Sequence, residues 1–181
     1  MSRCLAGFLR FAAKTRPALR LSGTKNLHFA NAPFPRFSAD EFADSFIAEW
    51  GLRLAPRAFL KAFTSWPRQF FPGARKTIRD LRANYMVGCL SNSNPLHWQR
   101  FGELEDDFDI TLFSHLLGAI KPDPEIFVLA LGKCDVEPSE VYFFDDCSAN
   151  VHSAQSLGIT AFHVDGFESL QDVLNIQGLM P

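Results

Sequence analysis

The stretch Val141-Tyr142-Phe143-Phe144-Asp145-Asp146 decides how this chain folds. Four consecutive apolar or aromatic residues read as a short buried strand. Two adjacent carboxylates stand where that strand must end. Paired acids there repel each other and resist desolvation, and the usual offset is a bound cation. Cys147-Ser148-Ala149-Asn150 follows, then Val151, Ala154 and Leu157 at helical spacing, closed by Gly158. The unit is strand, acidic turn, helix. Alone, it reads equally well as an acidic turn capping the next helix, so its neighbours must decide.

Immediately upstream, Asp135 to Ser139 leads into this strand from a helix carrying Ile126, Phe127, Ala130 and Leu131. Before that helix lies Gly118-Ala119-Ile120-Lys121-Pro122-Asp123-Pro124. Two prolines restrict the backbone beside Lys121, so its position is rigid, although a lone lysine is usually a solvated surface charge. Phe108 to Ser114 is a short strand candidate. Further upstream, Tyr85 to Leu90 reads as a second buried strand, ending in Ser91-Asn92-Ser93-Asn94, and Pro95 suits the first position of a helix. Hydroxyls and backbone N–H groups just before a helix form an anion site; the plainer reading is a polar turn with an N-cap. His97 then falls inside that helix as a structural residue. Downstream, Ala161 to Val164 is a last strand and Gly166 to Gln177 a final helix.

Strands alternating with helices predict a parallel sheet covered on both faces. In such sheets the site lies at the carboxyl ends of the strands. Ser91, the Lys121 loop and Asp146 all fall at or just after such ends.

Residues 38–70 read as a helical pair. Ser38 and Glu41 have capping-box spacing, Phe42, Phe46, Ile47 and Trp50 follow along one face, and Gly51 ends the helix. Pro56 opens a second helix in which Phe59, Leu60 and Phe63 share a face. An aromatic stripe of this kind is more often core than ligand pocket. Trp50, Phe63 and Trp66 nevertheless suggest an apolar-walled entrance. Pro72-Gly73 then breaks the chain before an amphipathic helix marked by Ile78 and Leu81.

Residues 1–37 differ in kind. The chain has 18 Lys and Arg against 20 Asp and Glu. Seven of the basic residues and none of the acids precede Asp40. A basic, amphipathic start, with Leu5, Phe8, Leu9 and Ala12 on one face, fits an organelle transit peptide, a disordered arm, or a start in the wrong context. Few apolar docking positions and no acids lead us to expect a mobile or loosely packed segment. Pro33 and Pro35 mark a linker. The acidic remainder argues against nucleic acid as a partner, and no apolar run approaches a membrane span. The four cysteines lack C-x-x-C spacing, which favours a reducing compartment. The chain is read as cytoplasmic, or organelle-targeted if residues 1–37 are a transit peptide; the oligomeric state is left unassigned.

Leu90-Ser91-Asn92, Lys121-Pro122-Asp123-Pro124, and Phe144-Asp145-Asp146 with Asn150, in that order and spacing, resemble motifs two, three and four of the haloacid dehalogenase superfamily. The closest likeness is to its phosphatase- and dehalogenase-like hydrolases with a small helical cap, over about residues 38–181. The resemblance implies a Rossmann-like α/β core over 71–181, a cap over 38–70 and a separate N-terminal segment over 1–37. It also implies roles. Ser91 and the backbone of Asn92 would bind a phosphate oxygen. Lys121 would be the catalytic cation that neutralises nucleophile and substrate. Asp146, with Asp145 beside it, would hold Mg²⁺. The phosphatase branch is favoured because Asp146 suits a metal. The partner would be a small phosphorylated or organic-acid substrate.

One departure is large. The family's first motif, D-x-D-x-T/V at the end of its first strand, supplies the nucleophile, and residues 1–39 contain no Asp. Asp107-Phe108-Asp109-Ile110-Thr111 fits the letters, but it begins a strand and follows a polar run, so it reads as a decoy at the opposite edge of the sheet. The first core strand is then absent, with Asn26 to Ala30 a weak substitute. Two readings follow. One is a phosphatase whose N-terminus is truncated or altered, inactive as written and with weak or lost Mg²⁺ binding. The other is a non-catalytic relative or fragment that binds phosphorylated ligands.

Overall fold

The computed structural model describes residues 38–65, 70–96 and 106–180, together with the backbone of two strands nearer the N-terminus. Those strands are β1 (Phe8–Phe11) and β2 (Ala18–Ser22). Then come α1 (Ala39–Glu49), α2 (Pro56–Thr64), α3 (Ala74–Arg82) and β3 (Met86–Ser91). They are followed by β4 (Ile110–Phe113), α4 (Ser114–Leu117), α5 (Pro124–Cys134) and β5 (Val141–Asp145). The chain finishes with α6 (Ser148–Ser156), β6 (Thr160–His163) and α7 (Phe167–Ile176). The readings placed on the rest of residues 1–37, on Trp66 and on His97 lie outside the described residues.

The sheet is an α/β sheet of six strands: β2, β3, β4, β5 and β6 run parallel, with β4 on β3, β6 on β5 and β2 pairing both β3 and β5, while β1 pairs antiparallel with β3 and β5. Both faces of β3 and β5 are buried, which is why they read as continuous apolar runs and not as alternating ones. Their side chains part in the expected two-residue rhythm. Val87, Cys89 and Phe144 join Ile78 and Leu81 of α3 and Leu170 and Leu174 of α7 on one face. Leu90, Val141 and Phe143 join Ile126, Phe127 and Ala130 of α5 and Val151 and Ala154 of α6 on the other.

The slot expected to lack the family's first strand lies between β3 and β5. β3 gives its outer edge to β4 and β5 gives its outer edge to β6. Two N-terminal strands register on the slot between them: β2 runs parallel to both neighbours, β1 antiparallel. A strand edge carries a single ladder, so β1 and β2 compete for one place. Only β2 keeps the direction that brings its carboxyl end to the same edge as Ser91 and Asp145.

α1 and α2 form a hairpin with its own core. Ser38 caps α1: its Oγ accepts from the Glu41 N–H at 3.2 Å, and Glu41 Oε2 accepts from the Ser38 N–H at 2.7 Å. Phe42, Phe46, Phe59 and Phe63 are buried together, with Phe46 and Phe59 stacked at 4.8 Å. The stripe is therefore core. Phe63, expected at an entrance, is 2% exposed and faces its neighbours; helical spacing defines a face but not what covers it. Trp50 is 57% exposed and stacks on Phe46. The hairpin core also packs on Leu96, just beyond the turn that ends β3.

The carboxylates of Asp107 and Asp109 sit at the amino end of β4. Arg75 Nε donates to Asp107 Oδ2 at 3.0 Å, and Arg82 Nη2 donates to Asp109 Oδ1 at 3.0 Å. Asp109 Oδ2 accepts from the Val87 N–H at 2.7 Å, at the start of β3. These acids anchor helix α3 to the sheet, at the edge opposite the acidic turn.

Candidate active site

Three segments meet at the carboxyl edge: the turn after β3, the Lys121 loop before α5, and the Asp145-Asp146 turn after β5. The meeting is built on Lys121. It is 2% exposed although it is a lysine. Its Nζ donates to the Leu90 carbonyl at 3.0 Å and to Asp145 Oδ2 at 2.9 Å, and stands 5.8 Å from the centre of the Phe143 ring. A buried ammonium is costly unless paired and hydrogen-bonded; here both conditions hold.

Asp145 is 0% exposed. Its Oδ2 takes Lys121, while its Oδ1 accepts from the Cys147 N–H at 2.8 Å and from Asn150 Nδ2 at 2.9 Å. Both carboxylate oxygens are thus occupied within the protein, and Asp145 ties strand, lysine loop and α6 together. Asp146 is the more accessible acid of the pair. Burial, and then the charge of Asp145, push its carboxyl above the usual aspartate range, against the pull of Lys121 and His163. His163, at the end of β6, lies with Nε2 3.1 Å from the Asp146 carbonyl.

Asn92 has a role that local sequence did not reveal. Its Nδ2 donates to the Lys121 carbonyl at 2.9 Å, and its Oδ1 accepts from the Lys121 N–H at 2.9 Å. The side-chain amide thereby pairs with the lysine backbone as a strand would, across 29 residues of sequence. Ser91 is 8% exposed at the end of β3, and its hydroxyl is recorded in no hydrogen bond to a described residue. The structure therefore brings Ser91, Asn92, Lys121, Asp145 and Asp146 to one edge.

Whether a magnesium ion suits these residues turns on the donors. Asp146 offers a carboxylate. Asn150 is 4% exposed, and its Oδ1 accepts no hydrogen bond from the described residues while its Nδ2 holds Asp145. A buried acceptor without a donor is costly, and a cation or its water shell would satisfy it. All these donors are oxygens, as a hard cation prefers. The donors fit but are few: the described residues contain no cluster of three His, Cys, Asp or Glu able to hold a metal.

β2 ends level with the acidic turn. Its last residue, Ser22, lies in register with Asp145, and Arg20 with Phe143. The run Arg20-Leu21-Ser22-Gly23-Thr24 keeps the spacing and the threonine of D-x-D-x-T, with Arg and Ser where the acids belong. A search for aspartates passes over it; the retained Gly23-Thr24 was the available signal.

A family model described as a haloacid dehalogenase-like hydrolase matches residues 33–158. D-ribitol-5-phosphate phosphatase of Bacteroides thetaiotaomicron is 32% identical over 153 residues, covering 77% of this chain and 74% of that protein. A phosphorylated carbohydrates phosphatase of Thermotoga maritima is 34% identical over 92 residues, which is 49% of this chain and 43% of that protein. Among solved structures, a haloacid dehalogenase family enzyme of B. thetaiotaomicron, complexed with magnesium and inorganic phosphate, superposes with a TM-score of 0.62 at 28% identity. The overlap is 71% of this chain and 70% of that one.

Proposed function

This chain belongs to the haloacid dehalogenase-like hydrolase family, and from that premise we propose that it is a phosphatase-type member that binds a small phosphorylated ligand without hydrolysing it. The observation that carries this reading is the intact cationic half of the site beside an acid-free first motif. Lys121 is buried, paired and fixed by Asn92, whereas no aspartate precedes Asp40.

In this reading, Ser91 donates its hydroxyl to a phosphate oxygen and the backbone of the Asn92 turn supports it. Lys121 offsets the ligand's negative charge, and its pairing with Asp145 fixes its position. Asn92 is the residue that positions Lys121. Asp146 and the Asn150 Oδ1 would hold magnesium, while Asp145 supports the turn from within. When bound, magnesium supplies charge neutralisation for the phosphoryl oxygens. The α1–α2 hairpin acts as the cap, seated on the site through Leu96. The relatives act on phosphorylated sugars by their names, which makes a sugar phosphate or similar small ester the ligand class.

Phosphoryl transfer needs positioning, charge stabilisation and a nucleophile. The first two are accounted for. Among the described residues at this edge the two acids are not available as nucleophiles, since Asp145 is consumed by its partners and Asp146 is assigned to the metal.

Two measurements test the reading together. Titration calorimetry with inorganic phosphate and Mg²⁺ is expected to give dissociation constants on the order of millimolar, as suits a hard cation with few protein ligands. Phosphate release from a panel of sugar phosphates is expected at the level of the buffer blank. Magnesium-dependent turnover by this chain would overturn the proposal.

A further inference from the structure

We propose that Ser114 is a positioning residue for the anion-binding turn, a role that rests on the reading of Ser91–Asn94 given above. The turn leaves β3 without regular structure of its own, yet its peptide groups must face one place. Among the described residues Asn92 and Ser114 both tether it, beside a hydrogen bond between His115 and the Ser93 backbone. The first is Asn92, whose amide pairs with the Lys121 backbone. The second is one residue on. The Ser93 N–H donates to Ser114 Oγ at 2.9 Å, and the Ser114 hydroxyl donates to the Ser93 carbonyl at 2.9 Å. A single hydroxyl therefore satisfies both backbone groups of Ser93.

The sheet delivers that hydroxyl to the turn. In the β3–β4 register Ser91 lies opposite Phe113, so the residue that follows β4, Ser114 at the start of α4, falls level with the start of the turn. Ser114 is 7% exposed and Ser93 9%, so water has little access with which to replace the bonds. With both groups of Ser93 engaged, the peptides flanking it resist rotation. Asn94 continues the constraint, its Oδ1 accepting from the Leu96 N–H at 3.0 Å. Ser114 makes no contact with the ligand in this scheme; it acts through the orientation of the Asn92–Ser93 backbone.

The test compares wild type with Ser114→Ala, which removes both bonds, and Ser114→Thr, which retains the hydroxyl. Ser114→Cys keeps the volume with a weaker donor and acceptor, and takes the place of the alanine variant should that variant not fold. Amide NMR follows inorganic phosphate binding and hydrogen exchange at Ser93, and melting temperature is recorded alongside. We expect Ser114→Ala to bind phosphate roughly five- to tenfold more weakly, and to exchange the Ser93 amide faster. Ser114→Thr should restore both. A residue that serves stability alone would lower the melting temperature and leave phosphate affinity of the folded protein unchanged, and that result overturns the proposal. Unchanged Ser93 exchange in Ser114→Ala overturns it too. If wild type binds no phosphate while Ser93 exchange rises in Ser114→Ala and recovers in Ser114→Thr, the ligand reading falls and the tether stands.

Discussion

Lys121 Nζ lies 2.9 Å from Asp145 Oδ2, with the lysine side chain 1% and the aspartate 0% exposed. The pair joins the loop before α5 to the end of β5 and is sealed from water. Removing one member strands the other charge, which costs roughly 3–5 kcal/mol for a buried pair. Lys121→Met and Asp145→Asn should each lower the unfolding free energy obtained from urea titration by an amount in that range. The double variant should be much less destabilised than the sum of the two. Singles that cost under about 1 kcal/mol, the ordinary value of an exposed pair, would show that the two charges are solvated.

Asp146 gives a dependence on pH with a definite sign. Burial and the Asp145 charge raise its carboxyl pKa in the fold, so the folded chain holds this proton more tightly than the unfolded chain. The stabilisation this provides is full below the unfolded aspartate pKa and is lost as pH rises through the folded value. At neutral pH the ionised Asp146 is a burden on the metal-free fold. Asp146→Asn should therefore melt higher at pH 7, by about 2–4 °C for each kcal/mol gained, with the advantage fading as pH falls toward 4. A lower melting point at pH 7 would mean that the carboxylate is stabilised by partners outside this turn.

The α1–α2 hairpin should open independently of the sheet. Among the described residues its core is Phe42, Ala43, Phe46, Phe59 and Phe63, a cluster separate from those of the sheet, with Leu96 from outside the hairpin packed against it. Phe59, 2% exposed, is the member to truncate: Phe→Ala in a core costs about 3–5 kcal/mol. Local opening needs less than global unfolding, so in Phe59→Ala hydrogen exchange should quicken across Ala39–Glu49 and Pro56–Thr64 and hardly change in Val141–Asp145. Equal acceleration in β5 would mean the hairpin and sheet unfold as one unit.

The strand Val141–Asp145, the capping box at Ser38 and the parallel alternation were legible because each is a local pattern with a strong physical cause. Paired acids after four buried residues have few explanations, and a serine three residues before a glutamate has a direct one. What stayed hidden depends on contacts between distant residues. Nothing near Asn92 announces that its amide will hold the Lys121 backbone, and nothing near Ser114 announces Ser93. Phe63 was half legible: its spacing gave the face, while the partner that buries it came from α1. The slot between β3 and β5 was missed for another reason. Arg20 and Ser22 are the wrong residue types for a motif recognised by its aspartates, and a basic residue at a central strand contradicts the expectation for a sheet buried on both faces.

That contradiction leads to the activity prediction. β2 runs parallel to β3 and β5 and ends at Ser22, level with Asp145. Arg20 lies in register with Phe143, and, counted back from Thr24, Arg20 and Ser22 stand at the two acid letters of D-x-D-x-T. Changing both to aspartate removes a guanidinium from the central strand, adds a carboxylate nucleophile, and completes the hard oxygen set that Asp146 begins. Arg20→Asp with Ser22→Asp should bind Mg²⁺ at least tenfold more tightly than wild type and gain magnesium-dependent hydrolysis of small phosphate esters. Ser22→Asp alone should tighten the metal without producing turnover, because no nucleophile stands at position 20. Asp146→Asn added to the double variant should abolish the activity. Asp107→Asn and Asp109→Asn should leave it in place, since those acids are engaged with Arg75 and Arg82 at the other edge. A double variant that folds and binds metal more tightly yet releases no phosphate would show that position 20 does not face the phosphoryl group, and that β1, not β2, fills the slot.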